Sequence, residues 1–149
     1  MGAPTMIKPK ETKMRIIKRE SNDTPYPIIA LLVDGVTANR RLEHHMLESI
    51  GIRTEPANGT AEAIEILSTG VNFDFIFVDF DLPITSGPEL MSQMRAMGVR
   101  GKMVGMLENF NNHNLQMFHQ ARADACITKP FTQDRLQEVI GILRRMFGM

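Results

Sequence analysis

The chain has 149 residues, 43% hydrophobic and 23% charged, which is enough for one domain with a core of its own and ordinary for a globular protein. Lys and Arg together number 17, as do Asp and Glu, so no global field recruits nucleic acid or a membrane surface. One cysteine, Cys126, excludes an internal disulfide and any multi-cysteine zinc site, and a reducing compartment follows.

Residues 1–26 read as a basic, disordered leader: positions 1–25 hold six Lys or Arg against three acids. The start MGAPTM has Met6 where a myristoylation signal wants Ser or Thr, and it lacks the apolar core of a signal peptide. No apolar run approaches a membrane span. The expected location is the cytoplasm, the nucleus or both.

From position 27 to 149 the pattern alternates strand-like and helix-like segments. The first strand is predicted over Ile28–Val33. An amphipathic helix follows over Ala38–Ile50 and stops at Gly51. Ile52–Pro56 is a short, polar, edge-like strand. Thr60–Ser68 is a helix after Asn58-Gly59. Asp74–Asp79 is the third strand, and its apolar run predicts a parallel strand buried on both faces. Pro88–Met97 is a helix closed by Gly98, Lys102–Leu107 the fourth strand, and Asn112–Arg122 a polar helix. Ala125–Thr128 is the fifth strand, and Thr132–Phe147 the last helix, with Thr132 as its N-cap. Five βα units in order predict an α/β fold: a flavodoxin-like (βα)5, doubly wound parallel sheet of five strands with helices on both faces. Met91, Met94, Met97 and Met103 are predicted to fill the core, as are Phe131, Leu136, Val139, Ile140, Leu143, Met146 and Phe147.

Three strand ends carry chemistry. The first strand stops on Asp34, the third on Asp79 with Asp81 and Pro83 just beyond, and the fifth is followed by Lys129-Pro130. Open α/β sheets place ligands at the carboxyl ends of their strands. Two carboxylates and an ammonium there point to a site for phosphate and a metal. Taken singly, Asp34 and Asp79 could each be turn caps; their company with Lys129 favours the functional reading. His44, His45, His113 and His119 lack ligand spacing and read as surface or half-buried. Cys126 reads as a small core residue, and Arg40 and Arg41 as solvated.

The order of these motifs, with Asp79, Pro83 and Gly87 matching D-x-x-x-P-x-x-x-G, resembles the response-regulator receiver domain over about residues 28–147. MRAMGVRGKMVGM, with a cysteine three residues before Lys-Pro, is most similar to short stand-alone plant members, the type-C group. The resemblance implies a two-component phosphorelay, of the cytokinin type in a plant. Asp79 would accept a phosphoryl group from a histidine-containing phosphotransfer protein. Mg²⁺ would be held by Asp34, Asp79 and the backbone carbonyl of Asp81, and Lys129 would pair with the phosphoryl oxygens. Lys-Pro would be a cis bond. The domain would be a signalling module rather than an enzyme, acting as a monomer through protein contacts, with no nucleic acid and no membrane. The partner face would include Arg40, Arg41, Pro130 and Phe131.

Four positions depart from that pattern. Gly35 stands where a second acid is usual, which predicts weak Mg²⁺ binding. Leu107 and Glu108 replace a hydroxyl residue and a small one at the end of the fourth strand. Leu107 cannot donate to phosphate, and Glu108 would repel it. Cys126 replaces the aromatic of the fifth strand. A protein-binding pseudo-receiver without phosphorylation is therefore the alternative. D-x-D in VDFDLP also fits a phosphohydrolase, less well, because that motif belongs on a first strand.

Overall fold

In the computed structural model, which describes residues 27–149, the elements alternate from β1 (Ile28–Val33) and α1 (Thr37–Ser49) to β2 (Ile52–Ala57) and α2 (Thr60–Leu67). They continue through β3 (Phe75–Asp79), α3 (Gly87–Ala96), β4 (Lys102–Leu107) and α4 (Asn112–Gln120) to β5 (Ala125–Thr128) and α5 (Gln133–Met146). The leader expected at 1–26 lies outside the described residues. The strands form one parallel sheet in the order β2-β1-β3-β4-β5. The fold is the expected flavodoxin-like one, and element ends differ from the predicted ones by one or two residues.

Strand alternation sorts the core into two layers. Ala30, Leu32, Phe75, Phe77, Val104 and Met106 face α1 and α5, where they meet Met46, Leu47, Leu136, Val139 and Leu143. Leu31, Val33, Ile76, Val78, Met103 and Leu107 face the other way, onto Ala63, Leu90, Met91, Met94 and Phe118 of α2, α3 and α4. Because both faces are covered, β3 is buried along its whole length, which explains its unbroken apolar run. Three residues expected in the core are exposed instead. Met97 lies beyond the last turn of α3, and Met146 and Phe147 run past the packed part of α5. The Phe147 ring rests against the Lys102 ammonium, 3.8 Å from its centroid.

Local chemistry sets the helix starts. Ser86 and Glu89 form a reciprocal capping box on α3, with Pro88 in its first turn. Asn111 and Thr132 cap α4 and α5 through their side-chain oxygens. Gly87 lets α3 start against the sheet: a Cβ there would lie 2.1 Å from the Asp79 carbonyl oxygen. The chain leaves β1 for one edge of the sheet and returns through β3 toward the other. The carboxyl ends of β1 and β3 therefore flank the switch point where such sheets bind ligands.

Candidate functional site

Asp34 follows β1 directly and is fully buried. Its Oδ1 accepts from the Val36 amide at 2.9 Å, its own amide donates to the Ala57 carbonyl at 3.1 Å, and its carbonyl accepts from Arg40 at 2.8 Å. Asp79 is the last residue of β3 and is 4% exposed. Lys129 follows β5; its amide donates to the Leu107 carbonyl at 2.7 Å, which fixes the stem beside the end of β4. The Lys129–Pro130 bond is cis, as the resemblance implies.

The three predicted side chains converge. Lys129 Nζ lies 2.7 Å from Asp34 Oδ2 and 3.4 Å from Asp79 Oδ1. A fourth residue joins them that the sequence reading missed. Glu43, on the core side of α1, is 5% exposed and places Oε2 3.3 Å from Lys129 Nζ. Its other oxygen, Oε1, is buried without a hydrogen-bond partner.

Crowding of acids in a buried place shapes their protonation. Burial, reinforced by the neighbouring Asp34 carboxylate, pushes Glu43 up to about 8 against the pull of Lys129. Burial and the Asp34 charge push Asp79 up to about 6, with Lys129 opposing and Asp81 adding a little. Burial alone would lower Lys129. Its hydrogen bond to Asp34 and the charges of Glu43, Asp79 and Asp34 more than offset that, and hold its ammonium above the usual lysine range.

The donor set suits a hard cation such as Mg²⁺, since every side-chain ligand is a carboxylate oxygen. Three acids against one ammonium leave two net negative charges when all are ionised, which a divalent ion offsets. Asp34 and Asp79 would hold it, with the carbonyl of exposed Asp81 in the loop after β3. When bound, the ion would neutralise the charge of an incoming phosphoryl group. Among the described residues no three acidic, histidine or cysteine side chains close into a ready metal cage. The acids gather around Lys129.

The degenerate positions now have physical reasons. Gly35 faces Pro83, whose Cδ would lie 2.8 Å from a Cβ at position 35. The proline ring occupies the place of a side chain there. Glu43 brings a further acid to the pocket from α1. Leu107 is fully buried in the apolar layer against α3 and α4 and offers only its backbone, while Glu108 is exposed. Cys126 is half-buried rather than a full core residue, and burial pushes its thiol up to about 11.

Of the residues predicted for a partner face, Arg41 and Pro130 are exposed and Phe131 is half-buried against the core. Arg40 is not freely solvated, because it is tied to the Asp34 carbonyl. Val36 and Ile84 add exposed apolar surface in the loops that follow Asp34 and Asp79. His44 and His45 are half-buried and exposed, and His113 and His119 are exposed, as expected. Among the described residues no helix is long and apolar enough to cross a membrane.

Comparison with known proteins agrees with this geometry. The chain is 26% identical over 129 residues to "Two-component response regulator 24" of Arabidopsis thaliana, covering 87% of this chain and 93% of that protein. It is 36% identical over 101 residues to "Two-component response regulator ORR42" of rice (Oryza sativa subsp. japonica), covering 67% of this chain and 75% of that one. Among solved structures, the chemotaxis protein CheY4 of Vibrio cholerae superposes with a TM-score of 0.73 at 21% identity, covering 78% of this chain and 98% of that one. A CheY-like receiver domain protein from Methanospirillum hungatei JF-1 gives 0.72 at 26% identity, covering 78% and 92%. The profile of the response regulator receiver domain matches residues 30–141. The chain belongs to the response regulator receiver domain family, the phosphoacceptor-type signalling domain of two-component systems.

Proposed function

We propose that the chain accepts a phosphoryl group on Asp79 from a phosphohistidine of a histidine-containing phosphotransfer protein. The observation that carries this reading is the buried convergence of Asp34, Asp79 and Lys129 at the carboxyl ends of parallel strands. An Asp79 carboxylate oxygen attacks phosphorus, the P–N bond to the donor imidazole breaks, and the imidazole leaves and takes a proton. An acyl phosphate remains on Asp79. Lys129 is within reach of the new phosphoryl oxygens and offsets their charge. Asp34, Asp79 and the Asp81 carbonyl would hold Mg²⁺, which would supply the remaining positive charge. The plant two-component response regulators among the relatives support a phosphorelay; the cytokinin type, in the cytoplasm or nucleus, is part of this proposal.

The test is transfer of labelled phosphate from a phosphorylated phosphotransfer protein in Mg²⁺. Label on the wild type and none on Asp79→Asn is expected. No label on the wild type, or equal label on both, favours the second reading, a pseudo-receiver that binds partners without accepting phosphate. Two observations speak for that second reading. Leu107 brings no hydroxyl to the pocket, and Lys129 is already engaged by three acids.

A further inference from the structure

Glu43 is the one acid of the pocket for which phosphoryl acceptance on Asp79 has no evident use. It shares the buried stripe of α1 with Met46 and Leu47, a place an apolar side chain would ordinarily fill. A buried carboxylate persists only where it is paired. Among the described residues, Lys129 is the only cation within ion-pair distance, and Oε1 has no hydrogen-bond partner. Asp79, at 3.4 Å, is no closer to the ammonium than Glu43, at 3.3 Å. Two acids that do not take the phosphoryl group therefore hold Lys129 at least as closely as the one that does.

We infer that Glu43 is a positioning residue acting through Lys129: its carboxylate occupies a donor of the ammonium that a phosphoryl oxygen on Asp79 needs, and has to yield it when the phosphoryl group arrives. The inference deepens the phosphoacceptor reading and rests on it. An ammonium has three donors; one goes to Asp34, and Glu43 and Asp79 both stand within ion-pair distance of the same nitrogen. A phosphoryl group adds about two negative charges, and it calls on the ammonium that Glu43 holds. Removing the acid loosens its hold on the ammonium and, where Glu43 is ionised, relieves a repulsion; both effects favour the phosphorylated pocket.

The test uses beryllofluoride, a phosphoryl analogue, titrated into the full chain in saturating Mg²⁺. Glu43→Gln and Glu43→Leu are expected to bind it roughly tenfold more tightly than wild type, the size of one hydrogen bond to a charged group. Glu65→Gln, at an exposed position of α2, is expected to match wild type. Lysine ammonium protons followed by NMR add a reading that a packing role leaves unmoved: those of Lys129 exchange faster with water in Glu43→Gln. Equal affinity of Glu43→Gln and wild type overturns the inference. Weaker affinity also overturns it, and marks Glu43 as a ligand of the cation instead. Glu43→Leu keeps the test open if the glutamine variant folds poorly, because an apolar side chain is tolerated at such a position. If no form binds the analogue while Lys129 exchange still quickens in Glu43→Gln, the hold of Glu43 on Lys129 is supported and the phosphoacceptor reading is what fails.

Discussion

The Lys129 ammonium donates to Asp34 across 2.7 Å, the shortest of its contacts with the acids of the pocket. The lysine is thus a structural counter-charge for the buried acids. Lys129→Met would leave Asp34, Glu43 and Asp79 buried with no cation. We expect a loss of about 3–5 kcal/mol, the usual consequence of removing one side of a buried pair. Urea unfolding of the metal-free protein measures it, and a loss below about 1 kcal/mol contradicts the assignment.

Protonation of the two raised carboxyls gives stability a pH dependence. Glu43 moves from 4.5 to about 8 and Asp79 from 3.8 to about 6. The folded state then binds more protons than the unfolded state across that window, so stability falls as pH rises. The slope reaches about 1.4 kcal/mol per pH unit where one proton separates the two states. The raised Lys129 keeps its proton in both states throughout that window, and its contribution is lost only in strong alkali. Unfolding of metal-free protein at a series of pH values checks this. Glu43→Leu should be more stable than wild type by about 1 kcal/mol or more and should lose the upper part of the slope.

Gly35 and Pro83 should behave as a coupled pair. Gly35→Ala drives a Cβ to 2.8 Å from the proline Cδ and should cost about 1–3 kcal/mol through overpacking. In the Pro83→Ala background the same change should cost about 1 kcal/mol less. A double-mutant cycle measured by chemical denaturation decides the matter, and strict additivity would refute the contact.

Gly87→Ala should be the more damaging glycine change. Its added carbon meets backbone, the Asp79 carbonyl at 2.1 Å, which has no rotamer to turn aside. We expect a loss of about 3 kcal/mol or more, with weaker Mg²⁺ binding as the end of β3 shifts. Thermal unfolding with and without Mg²⁺ reads both effects.

Much of this site was legible from sequence because strand ends are easy to see. An apolar run that stops on Asp34 or Asp79 marks both the strand and the acid at its rim, and Lys129-Pro130 marks the third. Glu43 was hidden because α1 offers two candidate faces. Leu42 and Met46 suggest one stripe, but Leu42 is 57% exposed and the helix turns Glu43, Met46 and Leu47 inward. The one available signal was Glu43 standing three and four residues before Met46 and Leu47, the spacing of a shared helix face. The contact of Gly35 with Pro83 was illegible for a different reason: it joins two loops that only the completed sheet brings together. The exposure of Met146 and Phe147 likewise depends on where the sheet ends beneath α5, which periodicity does not encode.

Lys129 hangs from β5, a four-residue strand at the rim of the sheet, while the partner of its shortest contact stands 95 positions earlier in the chain. A rim strand this short is among the first parts of a sheet to fray. Each opening of β5 would withdraw the ammonium and leave mutually repelling acids briefly open to water. Amide exchange of residues 125–129 should therefore keep time with the electrostatic state of the pocket, making the outermost strand a reporter for chemistry seated near the centre of the sheet.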